Sequence, residues 1–154
     1  MRLYIAGPMT GKRQFNIPAF DGAAELLRAD GHDVVSPVEL DGEAYREWAM
    51  LSEDGVSMEG NPNGWTWGHV LARDIELITD GGIELVVVID GWAQSRGARL
   101  ETFVANAMNG LPVYEFLPHR DVTGPLVPVS RIALFRAWTG EPALSIHHTY
   151  GVSS

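Results

Sequence analysis

The chain has 154 residues, 45% hydrophobic and 20% charged, the make-up of one globular domain able to bury its own core. Twenty acidic residues against 11 basic ones give a formal charge of −9, with no Lys/Arg run, which argues against a surface for polymeric DNA or RNA while leaving a single nucleotide possible. Cysteine is absent, so disulfides, thiolate metal sites and a cysteine nucleophile are excluded.

In chain order, "RLYIAG" is a short apolar run stopped by Gly7-Pro8 and predicts a first strand. It begins at Arg2, leaving no room for a signal peptide, and no apolar run is long enough to span a bilayer; the expectation is a cytoplasmic protein without a membrane partner. A polar loop, "PMTGKRQ", follows. Phe20, Ala23, Ala24 and Leu27 then recur at helical spacing, with Asn16 and Pro18 suited to the helix start and Gly31 to its end. "DVVSP" predicts a second strand closed by Pro37. A shorter helix is expected over 41–50, burying Ala44, Tyr45 and Trp48. From Leu51 to Gly64 no period survives, which predicts a long loop of the kind that forms lids or binding segments.

The next helix has the cleanest stripe: Trp67, Val70, Leu71, Asp74, Ile75 and Ile78. "IELVVVID" then reads as a parallel strand covered on both faces. A helix to about Asn109 and a strand "LPVYEF" follow. Strands alternating with helices at this spacing predict an α/β fold, a single doubly wound open parallel sheet of Rossmann or flavodoxin type with helices on both faces. Residues 1–116 account for that domain. Residues 117–154 form an extension, including "RIALFRAW", expected to pack on the domain or a neighbouring subunit.

In such sheets ligands bind beyond the carboxyl ends of the strands, where loops run into helix N-termini that favour anions. Three ends qualify: Gly7 to Gln14, the Ser36–Pro37 turn, and Asp90 to Gly97. In "GWAQSRGARLE", Gly97 lets backbone approach a ligand and Ser95 offers a hydroxyl, although the pair also suits a plain N-cap and turn. Glu101 lies almost two turns further, on a face with Ala98, Ala105 and Met108. It and Asp74 are carboxylates on apolar stripes, a placement that costs desolvation unless a partner or ligand offsets it; Arg73, Arg96 and Arg99 are available as partners. Two such acids flanking one strand, beside an anion cradle, suit glycosyl chemistry: one attacks an anomeric carbon, the other assists the leaving group. Tyr4, on the first strand, is either a core aromatic or a hydroxyl that orients the nucleophile. The five Trp residues mostly fit core or loop packing, although Trp65, Trp67 or Trp92 could stack on a base, Trp92 foremost because it sits in the crevice loop. Adjacent His147 and His148 have no acid spacing that would predict a metal site, and no cofactor is called for.

At these residues, over roughly Met1 to Phe116, the chain resembles the nucleoside 2-deoxyribosyltransferase-like superfamily, especially small phage-borne members and the N-glycosidases that hydrolyse nucleoside 5′-monophosphates. The motifs are "YIAGPMTG", "FNIPAFDGAAELLRADGHDVVSP", "WGHVLARDI" and, most specifically, "GWAQSRGARLE". The resemblance implies that Glu101 is the nucleophile, Tyr4 its contact on the first strand, and Asp74 the residue that binds or protonates the base. It places Gly7, Met9 and Arg13 in a loop beside sugar and phosphate, and Asp90, Trp92, Ser95 and Gly97 in the crevice loop, where Ser-x-Gly-x-x-x-Glu holds the phosphate. Glu84 stands where relatives commonly have a base-contacting Asp, and His69 where phage relatives often have an acid. The implied activity is hydrolysis of a (deoxy)ribonucleoside 5′-monophosphate through a glutamate-linked intermediate. Base exchange by a deoxyribosyltransferase and nucleotide sensing without turnover are the alternatives. The resemblance also implies a homodimer or higher homo-oligomer.

Overall fold

The computed structural model describes residues 1–119 and 124–141. The expectation for His147 and His148 lies outside them. Within the described residues the strands are β1 (Arg2–Ala6), β2 (Asp33–Val35), β3 (Leu85–Val88), β4 (Val113–Phe116) and β5 (Leu126–Pro128). The helices are α1 (Ile17–Ala29), α2 (Glu43–Met50), α3 (Trp67–Asp80), α4 (Arg96–Thr102) and α5 (Arg131–Thr139). The sheet order is β2-β1-β3-β4-β5, open at both ends. The first four strands are parallel, as the alternating pattern predicts, and β5 runs antiparallel to β4.

Alternation along β1 and β3 sorts the core into two layers. Leu3, Ile5, Leu85, Val87 and Ile89 pack with Phe20, Ala23, Leu27 and Tyr45 of α1 and α2. Tyr4, Ala6, Val86 and Val88 pack with Ile78 of α3, Ala98 of α4, Val104 of the turn that continues α4, and Leu134 of α5. Burial on both faces is why β3 has no polar residue between Leu85 and Val88. It also decides which helix Tyr4 meets. The chain leaves β1 towards β2 and leaves β3 towards β4, so the order reverses between these two central strands, where a crevice opens beyond their carboxyl ends.

Several local expectations are corrected. Ala44 is exposed and Ala49 takes its place in the core, because α2 starts only at Glu43 and turns its face accordingly. Asn16 does not cap α1 with its side chain: its backbone is left-handed (φ 63°), and its Nδ2 donates to Pro8 O at 2.8 Å, tying the β1 loop to the helix start. Gln14 and Phe15 are left-handed too, at φ 55° and 48°. Gln14 is held there by its own N–H to Ser52 O and its Nε2 to Met50 O, which offset the steric cost of that conformation. Met108 does not share the Glu101 face. The helix widens into a π-helical turn over Phe103–Met108, and the larger turn rotates Met108 outward to 69% exposure. The segment after Phe116 returns to the sheet as β5 and then covers α4 with α5, where Trp138 Nε1 donates to Thr102 Oγ1 at 3.1 Å. No helix among the described residues is long and apolar enough to cross a membrane.

Candidate active site

A cavity of about 440 Å³ occupies the crevice between β1 and β3. Its floor is Gly7, with Met9 and Thr10 from the loop after β1; its far wall is the N-terminus of α4, from Gln94 to Ala98. The first two turns of α3 close one side with Trp67, Val70, Leu71 and Asp74. Phe15, Tyr45, Val56 and Met58 close the other, so the long loop does supply cleft wall. The stripe of α3 is therefore divided: its C-terminal end, at Ile78, is core, and its N-terminal end faces the cavity.

Glu101 lies at the bottom, 6% exposed, and Tyr4 Oη donates to its Oε1 at 3.1 Å. The bond follows from the strand pleat, which aims Tyr4 at α4. Asp74 lines the same cavity and is also buried. Burial, and then the charge of Asp74, push the Glu101 carboxyl up to about 8, against the Tyr4 hydrogen bond and the more distant Arg73, which both favour the anion. Burial likewise raises Asp74, to about 6, although Arg73 opposes it. The Tyr4 hydroxyl is held well above its ordinary range by burial and by the two carboxylates. Two buried carboxyl groups this close do not both ionise easily, so over an interval of pH the pair holds one proton between them.

Ser95 is the N-cap its residue type suggests, its Oγ accepting from Ala98 N at 3.2 Å, and it also lines the cavity. Gly97 is not required by the fold, since a Cβ there would meet only Ser95 Oγ, at 3.9 Å. The room that glycine leaves opens onto the cleft. Gly7 is different, because a Cβ there would collide with the Ile89 side chain. It is a packing necessity as well as cleft floor.

Four expected site residues are not brought to the cavity. Glu84 sits at the amino end of β3, the opposite edge of the sheet, where it accepts from Arg2 N at 2.6 Å. Trp92 is only 7% exposed and packs in the core layer with Tyr4, so it offers no face to a base. Asp90 is exposed outside the cavity lining, and Arg13 points to solvent with Glu53 at 3.9 Å. Trp67, 40% exposed, is the cavity-lining tryptophan instead, and the Arg96 guanidinium lies 4.9 Å from its ring centre. His69 serves the capping box of α3 with Thr66.

One residue escaped the sequence reading of the site, and Arg73, one of the arginines that reading offered as a partner for the buried acids, links it to Asp74. Asp41, buried in the loop before α2, forms an ion pair with Arg73, and Arg73 donates Nε and Nη2 to Asp74 Oδ1 at 2.9 and 2.7 Å. "LDGE" gives no sign of this; it has the composition of an ordinary turn. The described residues contain no group of three His, Asp or Glu side chains spaced to hold a metal ion.

Residues 1–114 match the family described as a domain of unknown function, DUF4406. That span is most of the chain, and the protein belongs to this family. No curated protein and no solved structure gives a significant match.

Proposed function

We propose that this DUF4406 protein hydrolyses the N-glycosidic bond of a (deoxy)ribonucleoside 5′-monophosphate, as its resemblance to the deoxyribosyltransferase-like superfamily implies. The observation that carries the reading is the Tyr4–Glu101 hydrogen bond at the bottom of a cleft that Glu101 shares with Asp74 and with the N-terminus of α4. In the proposed reaction a Glu101 carboxylate oxygen bonds to C1′ while the C1′–N bond breaks. Its electron pair leaves with the base, which takes a proton from Asp74. Water then attacks C1′, returns a proton to Asp74 and frees Glu101, giving a sugar 5-phosphate. Tyr4 Oη stabilises the carboxylate form of Glu101 before attack and after release. The free N–H groups at the start of α4, the Ser95 hydroxyl and the Arg96 guanidinium supply the donors a phosphate needs.

The test is base release from a panel of canonical and modified nucleoside monophosphates. Release by the wild type, and its loss by at least about a thousandfold in Glu101→Ala, is the expected result. Wild-type rates in the variant contradict the nucleophile assignment. Tight binding with no release over hours indicates a nucleotide sensor. A transferase reading is favoured by one feature, the apolar wall of Val56, Met58, Trp67 and Leu71, against which a bound sugar would have fewer water neighbours. Added free base then yields a new nucleotide or nucleoside. The resemblance also carries the expectation of a homodimer, which light scattering measures directly.

A further inference from the structure

Arginine and aspartate at successive helix positions do not ordinarily face one another. Arg73 nevertheless curls back to Asp74, and it does so with its guanidinium pinned from the other side. Asp41 forms an ion pair with Nη1, Pro37 O accepts from Nη2 at 3.4 Å, and the Trp65 ring centre lies 5.6 Å from the guanidinium carbon. Both bonds to Asp74 fall on Oδ1, so neither occupies Oδ2. Asp41 is itself almost wholly buried, with its side chain only 2% exposed, which is costly for a carboxylate that had no purpose beyond packing. Asp74 thus meets charged or titratable groups from four directions: Arg73 on its own helix, Asp41 from the loop after β2, Tyr4 from β1 and Glu101 from α4.

We infer that Asp41 is a positioning residue for Asp74: it fixes Arg73 and divides its charge, so that Asp74 keeps one oxygen aligned and the other able to carry a proton. This rests on the reading of Asp74 as the acid of the site. An arginine committed to a single carboxylate holds it as the anion and makes it a poor acid. A guanidinium shared between two carboxylates orients Asp74 without fixing its charge, and the negative neighbour adds to the same effect. Burial raises Asp74 to about 6 despite two direct bonds from arginine, and the charge of Asp41 adds a smaller push in the same direction.

The experiment is a carboxyl ¹³C NMR titration of aspartate-labelled protein, with the Asp74 signal assigned by Asp74→Asn. In Asp41→Asn the Asp74 titration moves down by about one pH unit or more, because the guanidinium is undivided and one negative neighbour is gone. Asp41→Glu, which keeps the charge, restores most of the wild-type value. Asp41→Ser serves if the amide does not fold. An Asp74 titration unchanged in the neutral variants overturns the inference, whatever the protein does to nucleotides. A shift as expected in a protein that releases no base leaves the positioning intact and sinks the proposed activity alone. Where base release is found, the acid limb of its pH profile moves down with the NMR value, a change that loosened packing does not produce.

Discussion

Glu101 sets the pH behaviour of the proposed reaction. The carboxyl pair of Glu101 and Asp74 loses protons with apparent values near 6 and near 8, and between them it holds one, mostly on Glu101; ionised Glu101 beside protonated Asp74, the form the proposed reaction uses, is the minor arrangement of that single proton and rises and falls with it. Activity that needs one carboxylate and one acid is therefore bell-shaped, rising through about 6 and falling through about 8, in a plot of log kcat/KM against pH. Tyr4→Phe removes the hydroxyl that favours ionised Glu101. It raises the alkaline limb and lowers kcat/KM roughly tenfold to a hundredfold, the worth of one hydrogen bond to a charge. Stability carries the same signature without any substrate. The unfolded Glu101 loses its proton near 4.5 and the folded one near 8, so in that window the folded state holds more protons and stability falls as pH rises. Glu101→Gln is accordingly more stable than wild type at pH 8, by on the order of a few kcal/mol, and gains nothing at pH 4. Urea melts of the two proteins at both pH values measure the difference.

Among the elements, α4 joins fold and site most closely, and its two ends were unequally legible in the sequence. The start could be seen: Ser95 is a favoured cap, and Gly97 leaves room on the cleft side of the helix that the fold does not need. Gly97→Ala is expected to leave the melting temperature at or slightly above wild type while weakening phosphate binding, read by calorimetry with ribose 5-phosphate. Gly7→Ala separates the two glycines, since the collision with Ile89 costs about 1–3 kcal/mol of stability. The end of the helix could not be seen. A π-helical turn leaves no period in a six-residue segment such as "FVANAM", so regular helical spacing puts Met108 on a face it does not occupy. Trp92 failed for a related reason: position in a loop says that a side chain is near a crevice, not which way the chain turns as it passes. The short 3-10 turn of Trp92–Gln94 carries the indole back into the core.

For the molecule as a whole, the parallel strands and their helices were readable because each buries a stripe or alternates at a fixed period. The doubly wound sheet then located the crevice before any side chain was placed. Asp41 and β5 were not readable. The first depends on a contact across 32 positions of chain, and the second on an antiparallel return without a tight hairpin signal. The family match stops at residue 114, yet the sheet and the cover of α4 continue beyond it. Leu134, in α5, is fully buried in the layer that holds Tyr4. Leu134→Ala should cost about 2–5 kcal/mol, read as a lower denaturation midpoint, a loss comparable to any core leucine. A near-neutral effect would show α5 to be an appendage rather than part of the core.

The most direct test is to quench the protein during turnover of whichever nucleoside monophosphate proves active and to map the chain by peptide mass spectrometry. The account predicts one sugar-phosphate adduct, on Glu101. An adduct on another residue, or turnover that inverts the configuration at C1′ and so passes through no glycosyl-enzyme, would contradict it.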